Sequence, residues 1–130
     1  RRMNLLLDTH CLLWVAARPD LLSPSALAMI EDPANRLWFS VASIWEVAIK
    51  RGLDRPDFRT DPGTLRAGLL SAGYEELAVD GRHVLILSAL PTLHRDPFDR
   101  ILLAQATAEG MRLLTADRRL AAYGGAVLEA

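Results

Sequence analysis

Short apolar runs alternate along this chain with stretches of helical period. Residues 4–8 (NLLLD) read as a short buried strand, and residues 9–17 (THCLLWVAA) as the helix it feeds. Residues 23–32 (SPSALAMIED) open with a capping serine and an early proline, which predicts a second helix. Residues 36–40 (RLWFS) read as a strand. Beyond it Val41, Ile44, Trp45, Ala48 and Ile49 recur at i, i+3, i+4, i+7 and i+8, one face of a helix that Gly52 ends. Residues 54–63 (DRPDFRTDPG), rich in proline and aspartate, predict a loop. Helices are expected over 64–73 and 82–90, and strands over 74–79, 111–115 and 125–129. Between them HRDPFDRILLAQA (94–106) is a proline-led helix start running into an apolar helical stretch. Strands alternating with helices predict an α/β fold around a mostly parallel sheet.

Composition narrows this picture only a little. At 130 residues, 51% hydrophobic and 24% charged, the chain has the size and make-up of one soluble domain, taken as 1–130. Met3 reads as the natural start, with Arg1 and Arg2 left from upstream. The net charge of −1 excludes a generally basic nucleic-acid coat, so a polyanion would be held by a local patch or through metal ions. Lys50 is the only lysine among 15 lysine and arginine residues. Cys11 is the lone cysteine, which rules out an intrachain disulfide and predicts a reducing, cytoplasmic setting with a buried, inert thiol. His10, His83 and His94 show no zinc-ligand spacing. No apolar stretch approaches the ~20 residues of a membrane span.

Four acids stand where chemistry could use them, and each has a structural explanation of its own. Asp8 precedes a helix, where aspartate is a favoured N-cap. Glu46 lies three after Ser43, the spacing of a capping box, and four before Lys50, a favourable ion-pair orientation. Asp96-Pro97-Phe98-Asp99 has a cap residue, a proline at the first helical position and an acid at the third, so both aspartates could answer the free N–H groups of a helix start. Asp117 follows a strand and could cap the turn beyond it.

Together they point further. Ligands of open α/β sheets bind outside the carboxyl ends of the strands. Asp8 and Asp117 directly follow strands, Asp99 opens a helix packed beside them, and Glu46 lies in the first turns of the helix after RLWFS. Four carboxylates on one rim repel and could not all stay ionised unaided. A hard divalent cation, Mg²⁺ or Mn²⁺, resolves the conflict, because it takes oxygen ligands and bridges readily to phosphate. Such a site can activate water and neutralise charge on a phosphodiester as it is cleaved. No cysteine or histidine cluster, glycine-rich phosphate loop or Ser-His-Asp order competes with this reading.

LLLDTHCLLW, VASIWEVAIK, HRDPFDRILLAQA and LLTADRRL also resemble, in order and spacing, the four motif blocks of PIN-domain ribonucleases, and most of all those of VapC-type toxins. The resemblance implies a three-layer α/β/α fold and a metal-dependent endoribonuclease. It implies that Asp8, Glu46, Asp99 and Asp117 hold one or two Mg²⁺ or Mn²⁺ ions, and that Thr115 is the small polar residue near the last acid. Asp96 belongs to a subgroup pattern, D-P-F-D-R, outside the general catalytic set. Thr9 and Ser43 are candidates for orienting the ligands, though ordinary capping explains both equally well. Lys50, Arg100, Arg118 and Arg119 are candidates for phosphate contact or for solvated surface charge. The implied partners are an RNA substrate, a small cognate antitoxin and a second copy in a homodimer, with no membrane. Met29, Ile30 and Trp45 are candidates for a partner groove, or else core. A stand-alone RNA-processing nuclease and a non-catalytic PIN-like interaction module remain alternatives. Haloacid-dehalogenase-type phosphatases and receiver domains want a second aspartate beside the strand-end one, where Thr9 and His10 stand.

Overall fold

The computed structural model describes residues 2–130; Arg1, and with it half of the Arg1-Arg2 question, lies outside them. Five strands, β1 (Asn4–Leu7), β2 (Arg36–Ser40), β3 (Glu75–Leu77), β4 (Arg112–Thr115) and β5 (Val127–Glu129), form one all-parallel sheet of order β3-β2-β1-β4-β5. Six α-helices accompany it: α1 (Thr9–Ala17), α2 (Pro24–Glu31), α3 (Val41–Gly52), α4 (Pro62–Ser71), α5 (Gly81–Ala89) and α6 (Pro97–Glu109). Two short 3₁₀ segments, Pro19–Leu21 and Arg118–Tyr123, complete the chain. None of the described helices is long and apolar enough to cross a membrane.

The unbroken Leu5-Leu6-Leu7 run follows from the position of β1 at the centre of the sheet, where both faces are covered and all three side chains are fully buried. Side chains alternate across the sheet. Leu5 and Leu7 join Phe39 and Leu114 in a core closed by Leu12 of α1, Ala26 of α2, and Leu65 and Leu69 of α4. Leu6 and Leu113 pack with Leu102, Leu103 and Ala106 of α6 in a second core. Helices therefore cover both faces, in three α/β/α layers.

The strand order reverses at β1. The chain goes from β1 to β2 on one side, while β4 flanks β1 on the other. The crevice beyond the carboxyl ends of β1 and β4 is thus the topological switch point, where open α/β sheets bind ligands. There the Asp8 N–H donates to the Leu114 carbonyl (2.9 Å), tying the two strand ends together.

Some expected boundaries move for identifiable reasons. Helix α4 starts at Pro62, not at residue 64, because the Asp61 carboxylate accepts the Thr64 N–H (2.8 Å) and makes Asp61 the cap. The expected strand 74–79 contracts to Glu75–Leu77 at the sheet edge: Tyr74 is buried in the core, and the Ala78 carbonyl accepts the Gln105 side chain (3.3 Å). The predicted 54–63 loop contributes Phe58, 1% exposed, to the first core. Met29 and Ile30 lean on that core, whereas Trp45 is 60% exposed.

Candidate active site

Asp8 is the N-cap of α1, and its Oδ1 accepts the Cys11 N–H (2.8 Å). Its Oδ2 accepts the Thr115 hydroxyl (2.6 Å) and the Ala116 N–H (3.0 Å), so the end of β4 orients the acid of β1. Thr115 Oγ1 in turn accepts the Asp117 N–H (3.0 Å), linking the two strand-end acids through one hydroxyl.

Glu46 is buried inside α3. Its Oε1 accepts the Thr9 hydroxyl (2.5 Å), and its Oε2 accepts from Lys50 Nζ (2.5 Å), the expected i,i+4 pair. Ser43 Oγ lies 3.0 Å from Thr9 Oγ1. The capping-box reading of Ser43 and Glu46 is corrected here. Helix α3 is capped by Ser40, whose Oγ accepts the Ala42 N–H (3.0 Å), because β2 passes into α3 with no intervening loop. Ser43 and Glu46 lie within the helix and meet Thr9 of α1 instead.

Asp96 caps α6, its Oδ1 accepting the N–H of Phe98 (2.9 Å) and of Asp99 (3.4 Å). Asp117 caps the Arg118–Tyr123 segment, its Oδ1 accepting the Arg119 N–H (2.9 Å), and takes the Arg119 guanidinium on both oxygens. Asp8, Glu46, Asp99 and Asp117 line one cleft of about 460 Å³ at the switch point, with Lys50, Arg118 and Arg119 also in its wall.

Charge is unevenly answered within the cleft. Asp8, Glu46 and Asp117 all accept hydrogen bonds; Asp99 accepts none among the described residues, although His94 Nε2 lies 3.4 Å from its Oδ2. Burial, followed by the negative fields of Asp96, Asp8, Glu46 and Asp117, pushes the Asp99 carboxyl up to about 7. Arg119 and His94 hold Asp117 well below the usual carboxylate range, against its own desolvation. Four carboxylates lining one cleft suit a hard divalent cation, and ligand atoms of His94, Asp99 and Asp117 lie within 4.8 Å of one another, close enough to hold one.

The sequence model of the PIN domain matches residues 5–126. The chain belongs to the PIN-domain family. PIN domains are nucleases that generally use divalent metals. A comparison with curated proteins gives no match. Among solved structures, this PIN domain is similar to a chain of the VapBC2 complex of Rickettsia felis bound to a DNA fragment from its promoter (14% identity, 98% of each chain, TM-score 0.73). It is also similar to a chain of a toxin–antitoxin complex from Klebsiella pneumoniae (20% identity, 95% of this chain and 94% of that one, TM-score 0.65). A third similar chain comes from DNA-bound VapBC of Salmonella typhimurium (15% identity, 98% of each chain, TM-score 0.66). At these identities the likeness is one of fold.

Within this PIN domain Arg100 departs from expectation. Its guanidinium donates to the Leu87 (3.2 Å) and Leu90 (3.5 Å) carbonyls at the end of α5, away from the cleft, since residue 100 sits about 100° around α6 from Asp99. Cys11 behaves as expected: it is buried, and desolvation and the neighbouring Asp8 push its thiol far up. His94 is the site residue that the sequence pattern missed. It is 4% exposed, with Nε2 2.8 Å from Asp117 Oδ2. An imidazole two residues before a helix cap carries no spacing signal; its one clue was its place inside the HRDPFDR motif. A second group, Asp80, His83 and Glu109, brings ligand atoms within 4.8 Å of one another, but it lies outside the cleft. Its contacts are structural: Asp80 caps α5, and His83 bridges from the Asp80 N–H (3.0 Å) to Glu109 of α6 (2.8 Å).

Proposed function

We propose that this PIN domain is a divalent-metal-dependent endoribonuclease acting as the toxin of a toxin–antitoxin pair. One observation carries the nuclease reading: Asp99, with no hydrogen-bond donor among the described residues, faces Asp8, Glu46 and Asp117 at the switch point. Asp8, Glu46 and Asp99 would hold one or two Mg²⁺ or Mn²⁺ ions, with Asp117 completing the set directly or through water. When bound, such an ion supplies Lewis acidity at the phosphodiester and makes a nearby water more acidic. Thr115 and Thr9 keep Asp8 and Glu46 in orientation, each through one hydroxyl. Lys50, Arg118 and Arg119 offer cations to the phosphates on either side of the scissile one. His10 and Trp14, one helical turn apart on α1, line the same cleft and give an unpaired base aromatic faces to stack on.

The toxin reading is supported by the similarity to chains of toxin–antitoxin complexes from several bacteria. An apolar groove beside the site fits a helical partner segment. It is lined by Val41, Trp45, Val84, Phe98 and Ile101, and Trp45 meets Phe98 edge to face with centroids 5.1 Å apart. The proposed assembly is a cytoplasmic homodimer held inactive by a small cognate antitoxin. Purified protein should cut RNA with Mg²⁺ or Mn²⁺, stop in EDTA, and stop on Asp99→Asn with its fold intact. Undiminished cutting by that variant removes Asp99 from the site. A stand-alone processing enzyme would be indicated if no small upstream reading frame encodes a protein that binds the chain and blocks cutting.

A further inference from the structure

We propose that His94 is the positioning residue of this carboxylate cluster: a fixed Nε2–H donor that holds Asp117, beside Asp99, in the geometry that receives the cation, without being a ligand itself. This role rests on the metal reading above. A neutral imidazole has one N–H donor and one lone-pair acceptor. The Asp96 backbone N–H, which can only donate, points at His94 Nδ1 (3.0 Å), so the hydrogen-bond network puts the ring proton on Nε2. That Nε2–H faces Asp117 Oδ2 at 2.8 Å and lies 3.4 Å from Asp99 Oδ2.

A metal-ligating histidine has the reverse arrangement, with its lone pair on the ion and its other N–H on a carboxylate or carbonyl. The ligand atoms of His94, Asp99 and Asp117 lie within 4.8 Å of one another and could pass for a three-ligand metal site. The tautomer argues otherwise. To ligate through Nε2, the ring would have to carry its proton on Nδ1, donor against donor with Asp96. One buried donor, hydrogen-bonded to Asp117 and lying close to Asp99, describes the group better.

The surroundings hold the ring in this role. Asp96 is itself fixed as the cap of α6, and the His94 backbone N–H donates to the Tyr123 hydroxyl (3.1 Å), which donates in turn to the Pro91 carbonyl (2.7 Å). Asp117 has a second partner in Arg119, whose side chain is 76% exposed and free to turn toward a phosphate. The His94 side chain is 1% exposed and has nowhere to turn. It therefore keeps Asp117 in place whichever anion Arg119 engages.

Three measurements test this. Calorimetric titration with Mn²⁺ should show 10- to 100-fold weaker binding for His94→Asn, which reaches only the Nδ1 position. His94→Gln, whose amide nitrogen can stand where Nε2 stood, should bind within about 3-fold of wild type, a rescue that loss of packing alone would not give. Equal affinity of wild type and His94→Asn overturns the role. Independently of any variant, pulsed electron paramagnetic resonance of Mn²⁺ bound to the wild type should show no directly coordinated nitrogen, and nitrogen NMR of the metal-free protein should show the proton on Nε2. A coordinated nitrogen, or a proton on Nδ1, overturns the assignment while leaving the metal reading intact. Failure of the wild type to bind Mn²⁺ at all overturns the metal reading and this role with it.

Discussion

Asp96, the cap of α6, and Asp99, in its first turn, do different work. The Asp96 carboxylate accepts from two backbone N–H groups, whereas Asp99 accepts no hydrogen bond among the described residues and sits among negative charge. Asp96→Ala should therefore lower stability by about 0.5–2 kcal/mol, read by denaturant unfolding, and leave cutting measurable. The backbone N–H that orients His94 survives that substitution. Asp99→Asn should do the opposite: unchanged or higher melting temperature in EDTA, because a repelling charge is gone, and no further rise on adding Mg²⁺. Asp8, Asp99 and Asp117 were legible in the sequence because each follows a strand or opens a helix, and Glu46 because it lies in the first turns of a helix that follows a strand, which fixes the rim each faces. His94 and Arg100 were not, since their directions depend on how the segment from α5 folds back and on the rotation of α6.

Elements reveal where patterns of polarity suffice and where they fail. Strands β1, β2 and β4 were legible as short apolar runs because they lie between other strands in the sheet. Strands β3 and β5 were expected over 74–79 and 125–129 and occupy Glu75–Leu77 and Val127–Glu129, three-residue edges too short for a pattern to fix their bounds, and the loop before α4 hides a core residue among prolines and aspartates. Phe58→Ala should cost about 3–5 kcal/mol by denaturant unfolding. It should also weaken RNA binding, because the Phe58 ring supports both Lys50 (4.8 Å to the centroid) and His10 (centroids 5.4 Å apart) at the cleft. Tyr74, before β3, has a buried hydroxyl without a hydrogen-bond partner among the described residues, and burial pushes it up to about 12. The folded state thus holds its proton more tightly than the unfolded chain, so the stability it contributes is complete below pH 10 and is lost as pH rises from 10 through 12. Tyr74→Phe should flatten that alkaline loss in thermal melts and leave stability at pH 7 equal or slightly higher.

Across the whole molecule, the alternation of strands and helices announced a parallel α/β sheet, but not the strand order that makes the site. Periodicity is local, whereas the order β3-β2-β1-β4-β5 is set by which faces the crossover helices cover. That order puts Asp8 and Asp117, more than a hundred residues apart in sequence, at adjacent strand ends joined by Thr115. It also brings α3 and α6 together, so that Glu46 and Asp99 close the cleft while Trp45 and Phe98 form the neighbouring groove. Metal binding at this switch point is the claim on which nuclease function depends. Crystals soaked in MnCl₂ test it most directly through anomalous scattering. The expected result is a manganese peak at ~2.0–2.3 Å from carboxylate oxygens of Asp99 and Asp8. No peak in the cleft at saturating Mn²⁺, or a peak only at the Asp80, His83 and Glu109 group, would contradict it.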